Sequence, residues 1–114
     1  MCFYIHSKHL KPKTAKEDKS CYKIGYLDSI HNKFRSEIMK FSYQLNKVYS
    51  TKIDGYGDVI RRGFNSFKTK KSALEDNVWE NDIVMCIIPK GATYYYNPDL
   101  QEYVSNKIKI LKPI

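Results

Sequence analysis

The sequence is poor in arginine although it is strongly basic. Arg35, Arg61 and Arg62 are its only arginines, whereas lysine and arginine together number 20 and the formal net charge is +8. Proteins that read bases rely on the bidentate guanidinium group, so this lysine-dominated charge disfavours a sequence-specific DNA-binding protein. The charge remains compatible with an anionic ligand or with a solvated basic surface.

Cysteine is also scarce, and its spacing excludes two classes of small protein. Cys2, Cys21 and Cys86 lie far apart without CxxC spacing, which argues against a disulfide framework or a zinc knuckle. Cys86 lies in the apolar run "IVMCII" and is predicted to be a small buried hydrophobic residue. We therefore expect no metal and a cytoplasmic location, in a bacterial host if the protein is viral.

Long hydrophobic runs are absent. No stretch of about 18 apolar residues exists, so we expect no membrane partner. The first residues, "MCFYIHSKHLKPK", lack the apolar core of a signal peptide. With 114 residues of which 42% are hydrophobic, the chain is predicted to form a single domain over residues 1–114. Residues 8–19 are predicted to form a polar basic loop or arm of that domain.

The residues that are abundant favour a β-sheet. Tyrosine, isoleucine, valine and phenylalanine recur while alanine is rare, which predicts an α+β fold: a twisted, mostly antiparallel sheet with one or two helices. Strands are predicted at 21–27, 63–69, 82–88 and 93–97. A helix is predicted over 70–79, where Thr69 can act as the N-cap and Ser72-x-x-Glu75 offers a second capping-box register. The segment 34–45 fits either a helix or a strand at 37–43, and 46–58 is predicted to be an exposed loop with a short extended piece at 48–49.

Two further strand predictions concern which side chains are buried. The segment "EYVSNKIKILK" is predicted to be one strand with Val104, Ile108 and Ile110 on one face. Phe64 and Phe67 in "GFNSF" should point to opposite faces of their strand, so at most one of them is expected in the core.

The order of elements in the second half resembles a known fold. The runs "GFNSF", "KKSALEDNV", "DIVMCII", "PKGATYYY" and "EYVSNKIKI" resemble the core of the ADP-ribosyltransferase family. Residues 20–112 are also similar to small uncharacterised proteins of phages and mobile elements. The resemblance implies an ADP-ribosyltransferase-like fold with a cleft shaped for a nucleotide.

The resemblance also implies roles for individual residues. Ser66 takes the place of the family's Ser/Thr strand and Glu102 that of its catalytic glutamate, while Tyr22 or Lys23 stands where the family keeps an arginine or histidine. A carboxylate on the ribose 2′-hydroxyl would stabilise the oxocarbenium-like state of nicotinamide cleavage. NAD or an ADP-ribose derivative is the ligand that this match implies, and no cofactor is required.

Other residues are predicted to complete the cleft. Arg61 and Arg62 would lie at its rim, where a cation can pair a pyrophosphate, and Phe64 and Tyr95 would supply aromatic walls. The competing interpretation is simpler. Ser66 would be an ordinary strand residue and Glu102 a solvated charge at a sheet edge.

The sequence departs from the ADP-ribosyltransferase pattern at several positions, and these differences favour a binding protein over an enzyme. No arginine or histidine follows a hydrophobic pair in the first strand, and Gln101 adjoins Glu102 instead of preceding it by two positions. This favours a phage-type binder of a nucleotide-like anion that sequesters a host immune signal, such as a cyclic nucleotide. The alternatives are an active ADP-ribosyltransferase or NAD glycohydrolase and, with less support, a nucleic-acid or protein-binding module with its basic arm on phosphates. The sequence is also compatible with a homodimer that forms through an edge strand of the sheet.

Overall fold

The computed structural model describes residues 3–4, 11–36, 42–56, 59–77 and 81–114. The secondary structure of these residues consists of thirteen strands and one helix: β1 Phe3–Tyr4, β2 Lys13–Thr14, β3 Lys19–Asp28, β4 Lys33–Ser36, β5 Ser42–Gln44, β6 Val48–Ser50, β7 Asp54–Tyr56, β8 Val59–Arg62, β9 Phe64–Phe67, α1 Lys70–Asp76, β10 Asp82–Ile88, β11 Thr93–Asn97, β12 Glu102–Ser105 and β13 Lys107–Pro113.

The strands form one large and one small antiparallel sheet. In the described part of the chain the large sheet runs in the order β2-β11-β12-β9-β3-β10-β13-β6, and the β4-β5 hairpin pairs with the second half of β3. The small sheet has the order β1-β8-β7. The predicted α+β class, a mostly antiparallel sheet with a helix, is confirmed.

The large sheet is curved around its main core. Strands β12 and β13 follow each other directly in the chain, yet β12 pairs with β9 while β13 pairs with β10 and β6. The turn between them is held by Asn106, whose Oδ1 accepts the backbone N–H of Thr93 at 2.9 Å. The curvature brings Tyr103, Phe34 and Ile108 from separate strands into one apolar cluster.

The break at Asn106 corrects one prediction. The segment predicted as one strand is two strands, so the alternation of faces starts again after the turn. Tyr103 therefore shares the main core with Ile108 and Ile110, whereas Val104, which was expected beside the isoleucines, is not part of that cluster.

The helix confirms its predicted start. Thr69 is the N-cap, and its side chain and that of Ser72 form a capping box. The helix ends at Asp76, before the predicted residue 79, and residues 78–80 lie outside the described part. None of the described residues belongs to a helix long and apolar enough to cross a membrane.

The helix also explains why one expectation about the phenylalanines is wrong. Phe64 and Phe67 point to opposite faces of β9, yet both are buried, with 8% and 6% of their surface exposed. Phe64 belongs to the main core, while Phe67 packs with Ile24, Ala73 and Ile83. Because α1 supplies Ala73 to this second cluster, both faces of the sheet are covered there.

Two weaker predictions are also settled in part. The ambiguous segment 34–45 contains most of β4 and all of β5, while residues 37–41 lie outside the described part. The segment predicted as a loop contains β6, as the expected extended piece, and also β7, so the loop prediction is wrong at 54–56. The strand β7 arises from its pairing with β8, a contact that local sequence does not reveal.

Candidate functional site

The large sheet separates the predicted site residues onto two faces. Ser66 pairs with Tyr103, and Tyr22 pairs with Phe67. Because successive strand residues point to opposite faces, Ser66 faces the main core together with Tyr103. Tyr22 lies on the other face, where it packs against the cluster under the helix. Glu102, the neighbour of Tyr103 in sequence, lies on the helix face as well.

Lys23 is a buried residue with a structural role. Only 4% of its surface is exposed, and its Nζ donates a hydrogen bond to the backbone oxygen of Asn65. Strands β3 and β9 pair at one position, Tyr22 with Phe67, so the lysine satisfies a carbonyl beyond the end of this short ladder. Its Nζ also lies 5.7 Å from the centre of the Tyr43 ring. Burial lowers the pKa of Lys23, and interactions with Cys86, Cys21 and Glu102 oppose that shift.

Glu102 is buried as well, with 7% of its surface exposed. It opens β12, which lies between β11 and β9, so the interpretation as a solvated edge charge is wrong. The Nδ2 atom of Asn65 donates to Glu102 Oε1 at 3.4 Å. Burial raises the pKa of the Glu102 carboxyl, the Asn65 hydrogen bond acts against this shift, and the nearby Asp76 adds to it. Asn65 therefore connects Lys23 on one face with Glu102 on the other.

Ser66 lies in a closed part of the core. Its side chain is fully buried, and its Oγ makes no hydrogen bond of ordinary geometry with any described residue. The hydroxyl lies beside the thiol of Cys21 and helps to lower the pKa of that thiol. Ser66 and Glu102 are thus close in the sheet but face different surroundings.

A pocket of about 200 Å³ adjoins Glu102 on the helix face. Four carboxylates line it, from Glu75, Asp76, Asp99 and Glu102, together with the ring of Phe67, and its lining includes no lysine or arginine. The negative electrostatic potential of these carboxylates disfavours an anionic ligand such as a pyrophosphate. Among the described residues, no group of three or more acidic, cysteine or histidine side chains converges so as to hold a metal ion.

The remaining predicted cleft residues are dispersed. Phe64 is buried in the main core, where its ring contacts that of Tyr43, and it offers no open stacking surface. Tyr95 pairs with Val104 and is half-buried. Arg62 ends β8 and is exposed, while the side chain of Arg61 lies outside the described part.

A larger cavity, here called the lysine cavity, lies at the β2 edge of the large sheet. Its volume is about 610 Å³. Residues 13–19 and Tyr94 line it; they supply three amino groups, from Lys13, Lys16 and Lys19, and the carboxylates of Glu17 and Asp18. This segment was predicted as a basic arm, but the sequence did not indicate that it encloses a cavity.

The wall of the lysine cavity is anchored to the turn between β10 and β11. Ala15 donates its N–H to the oxygen of Ala92 at 2.9 Å and accepts the N–H of Gly91 at 2.8 Å. Asp18 Oδ1 accepts the backbone N–H of Lys90 at 2.9 Å. These hydrogen bonds fix the segment at two points, and a wall held in place loses less entropy when a ligand binds.

The aromatic part of the cavity is fixed by the same sheet. Tyr94 pairs with Lys13 across the β11-β2 ladder, and its ring contacts that of Tyr103 at 5.6 Å between centroids. The Nζ atom of Lys19 lies 5.4 Å from the centre of the Tyr94 ring. The arrangement places an aromatic ring beside positive charge, which suits a ligand that has both an apolar ring and an anionic group.

No family model, no curated protein and no solved structure matches this chain.

Proposed function

We propose that this protein binds a small nucleotide-like anion in the lysine cavity and does so without turning it over. The observation that carries the proposal is the placement of Lys13, Lys16 and Lys19 around one cavity whose wall also contains Tyr94. Lysine ammonium groups are common partners of phosphate, and an adjacent aromatic ring suits a nucleobase.

Charge favours this cavity over the pocket beside Glu102. The lining of the lysine cavity carries three ammonium groups and two carboxylates, which is a formal excess of one positive charge. The pocket beside Glu102 is lined by carboxylates alone among its charged groups. An anionic ligand therefore meets attraction at the first site and repulsion at the second.

Size also supports the proposal. Small-molecule sites have volumes of about 300–1,000 Å³. The lysine cavity, at about 610 Å³, falls within this range, whereas the pocket beside Glu102, at about 200 Å³, is smaller than a typical site. If binding is tight, a phage-type protein with such a site would remove a host nucleotide signal from solution by sequestration.

The proposal is tested by thermal shift and calorimetry with NAD, ADP-ribose, cyclic dinucleotides, inorganic phosphate and a short DNA duplex. A ligand at 100 times its Kd should stabilise the protein by about 2.7 kcal/mol. Lys16→Ala and Lys19→Ala should each weaken binding about tenfold, because each removes a charge-assisted contact. Lys52→Ala and Lys112→Ala, which remove exposed lysines elsewhere, serve as matched controls.

Three results would contradict the proposal. The first is an unchanged melting temperature with every nucleotide. The second is an equal loss of affinity in the cavity variants and the controls. The third is binding of the DNA duplex alone with a steep salt dependence, which would favour the nucleic-acid alternative.

The second candidate function is NAD cleavage with Glu102 as the catalytic carboxylate. This function would go together with the ADP-ribosyltransferase-like fold that the sequence resembles. The specific observation that favours it is a buried carboxylate on an interior strand that lines a pocket with the Phe67 ring. The test is chromatography of NAD after incubation with the protein. Activity that is lost in Glu102→Gln would support the enzyme, and an unchanged NAD peak with the unsubstituted protein would exclude it.

A further inference from the structure

Two of the cysteines lie directly opposite each other in the centre of the large sheet. Cys21 in β3 pairs with Cys86 in the antiparallel strand β10. Both side chains are fully buried and both are free thiols. Paired residues of antiparallel strands have Cα atoms about 4.5–5.5 Å apart, which lies within the range that a disulfide bond spans.

The surroundings make the two thiols unequal. Burial acts to raise the pKa of Cys21, but the Cys86 and Ser66 side chains and the charge of Lys23 outweigh it, so that pKa is lowered. Burial raises the pKa of Cys86, and its contact with Cys21 raises it further. Cys21 is therefore the thiol that more readily becomes a thiolate, the reactive form.

We propose that Cys21 and Cys86 form an oxidisable dithiol that a peroxide converts into a disulfide between β3 and β10. The proposal is independent of the lysine cavity, since it rests on the pairing of the two cysteines. The sequence predicted Cys86 only as a small buried hydrophobic residue, and the structure confirms that it is buried. The proposal adds a redox reaction to that role.

The reaction balances with hydrogen peroxide as the oxidant. The Cys21 thiolate attacks one peroxide oxygen, the O–O bond breaks, and the leaving hydroxide takes up a proton as water. The sulfur of Cys86 then attacks the Cys21 sulfur, the S–O bond breaks, and hydroxide leaves with the Cys86 proton as the second water. Two thiols are oxidised to one disulfide, and one peroxide is reduced to two waters.

The backbone ladder beside Cys21 is interrupted, so local opening there is the route by which we expect a small oxidant to reach the thiols. Beside Cys21, β3 pairs with β9 at Tyr22 alone before it pairs with β4 from Gly25 onward. An interrupted ladder opens locally at lower cost than a continuous one, so we expect the reaction to be slow but to occur in the folded protein.

The experiment uses the full chain with Cys2→Ser as the parent, because Cys2 lies outside the described residues and would add a third thiol. The parent is exposed to hydrogen peroxide and unfolded in the presence of an alkylating reagent, and its intact mass and cross-linked peptides are measured. We expect both thiols to be lost together, a mass lower by two hydrogens, and a peptide that links residues 21 and 86. The oxidised protein should melt at least about 5 °C higher, and dithiothreitol should reverse the change.

Cys21→Ser and Cys86→Ser in the same background should form no intramolecular bond. Should either variant fail to fold, the cross-linked peptide of the parent still decides the question. The proposal is overturned if the folded parent keeps both thiols under conditions that oxidise the urea-unfolded parent. It is equally overturned if one cysteine is oxidised to sulfinic acid while the other remains a free thiol.

Discussion

Ser66 carries a fully buried hydroxyl that makes no hydrogen bond of ordinary geometry within the described part of the chain. Its polar neighbour is the thiol of Cys21, a weak hydrogen-bond partner, so the burial of this hydroxyl is poorly compensated and costs about 1–3 kcal/mol. We therefore expect Ser66→Ala to raise the free energy of unfolding by about 1 kcal/mol, with urea denaturation as the measurement. The residue that resembles a catalytic position would then contribute no stability of its own.

Ser105 provides the matched control for this prediction. It is equally buried and lies on the neighbouring strand, but its hydroxyl donates to the Lys107 oxygen at 2.9 Å. Ser105→Ala should lower the free energy of unfolding by about 1 kcal/mol because it removes a satisfied hydrogen bond. Equal destabilisation by both substitutions would show that Ser66 has a partner after all.

Glu102 should make the stability of the protein depend on pH. Burial raises its pKa above the ordinary value of 4.5, so at intermediate pH the folded protein binds a proton that the unfolded chain does not. Its contribution to stability is therefore favourable at acidic pH and is lost as pH rises through this window. We expect Glu102→Gln to melt a few degrees higher than the unsubstituted protein near about pH 7, with little difference near about pH 3.5.

The amide of the glutamine variant can still accept the hydrogen bond from Asn65, so the substitution changes charge more than contacts. Melting curves across the pH range measure the effect. A variant that is less stable than the unsubstituted protein near neutral pH would mean that the carboxylate is stabilised by its surroundings, in conflict with a raised pKa.

Burial of Lys23 and Glu102 could not be predicted from the sequence. A single sequence indicates lysine and glutamate as solvated unless a motif says otherwise, and none is present at these positions. Lys23 is buried because β3 and β9 pair only at Tyr22, which leaves the Asn65 carbonyl to the lysine. Glu102 is buried because β12 lies between β11 and β9, where the side-chain amide of Asn65 donates to it. This arrangement depends on contacts between residues about 40 positions apart.

At the scale of the element, the absence of a side chain at Gly25 allows β3 and β4 to lie close together. A Cβ atom added there would lie 2.1 Å from the backbone oxygen of Arg35 and 2.7 Å from Cζ of Phe34. Neither contact can relax without moving the hairpin or the fully buried Phe34 ring. Gly25→Ala should therefore lower the free energy of unfolding by more than about 3 kcal/mol, as measured by urea denaturation.

Gly91 is the control for backbone effects alone. Its φ of +89° favours glycine, but a Cβ there would meet no atom within 4 Å. Gly91→Ala should cost only about 1–2 kcal/mol, from the left-handed conformation. A cost at Gly25 no larger than the cost at Gly91 would mean that β4 can move away from β3 freely.

Elements with local signals were predicted well, and those set by distant contacts were not. Thr69 was recognised as an N-cap because capping depends on residues within one turn. The apolar run of β10 likewise identified a central strand. The break at Asn106 was missed because its cause is a hydrogen bond to Thr93 on another strand. The lysine cavity was missed for the same reason, since Ala15 and Asp18 are anchored to a turn more than 70 positions away.

At the scale of the whole molecule, positive charge is in excess but unevenly placed. The formal net charge is +8, yet one pocket is lined by four carboxylates and another cavity by three lysines. Excess like charge destabilises the compact state by self-repulsion, and salt screens this repulsion over a distance of about 10 Å. We expect the melting temperature to rise by a few degrees as sodium chloride is increased, with calorimetry as the measurement.

Two further comparisons separate general screening from binding in the lysine cavity. Lys52→Glu with Lys112→Glu halves the net charge at exposed positions and should reduce the effect of chloride. At equal ionic strength, phosphate should stabilise both this variant and the unsubstituted protein more than chloride does, because it occupies the cavity as well as screening charge. Lys16→Ala with Lys19→Ala should abolish that additional stabilisation and keep the response to chloride. If phosphate and chloride raise the melting temperature equally in all three proteins, the cavity does not bind phosphate. The positive charge would then be an ordinary solvated surface charge.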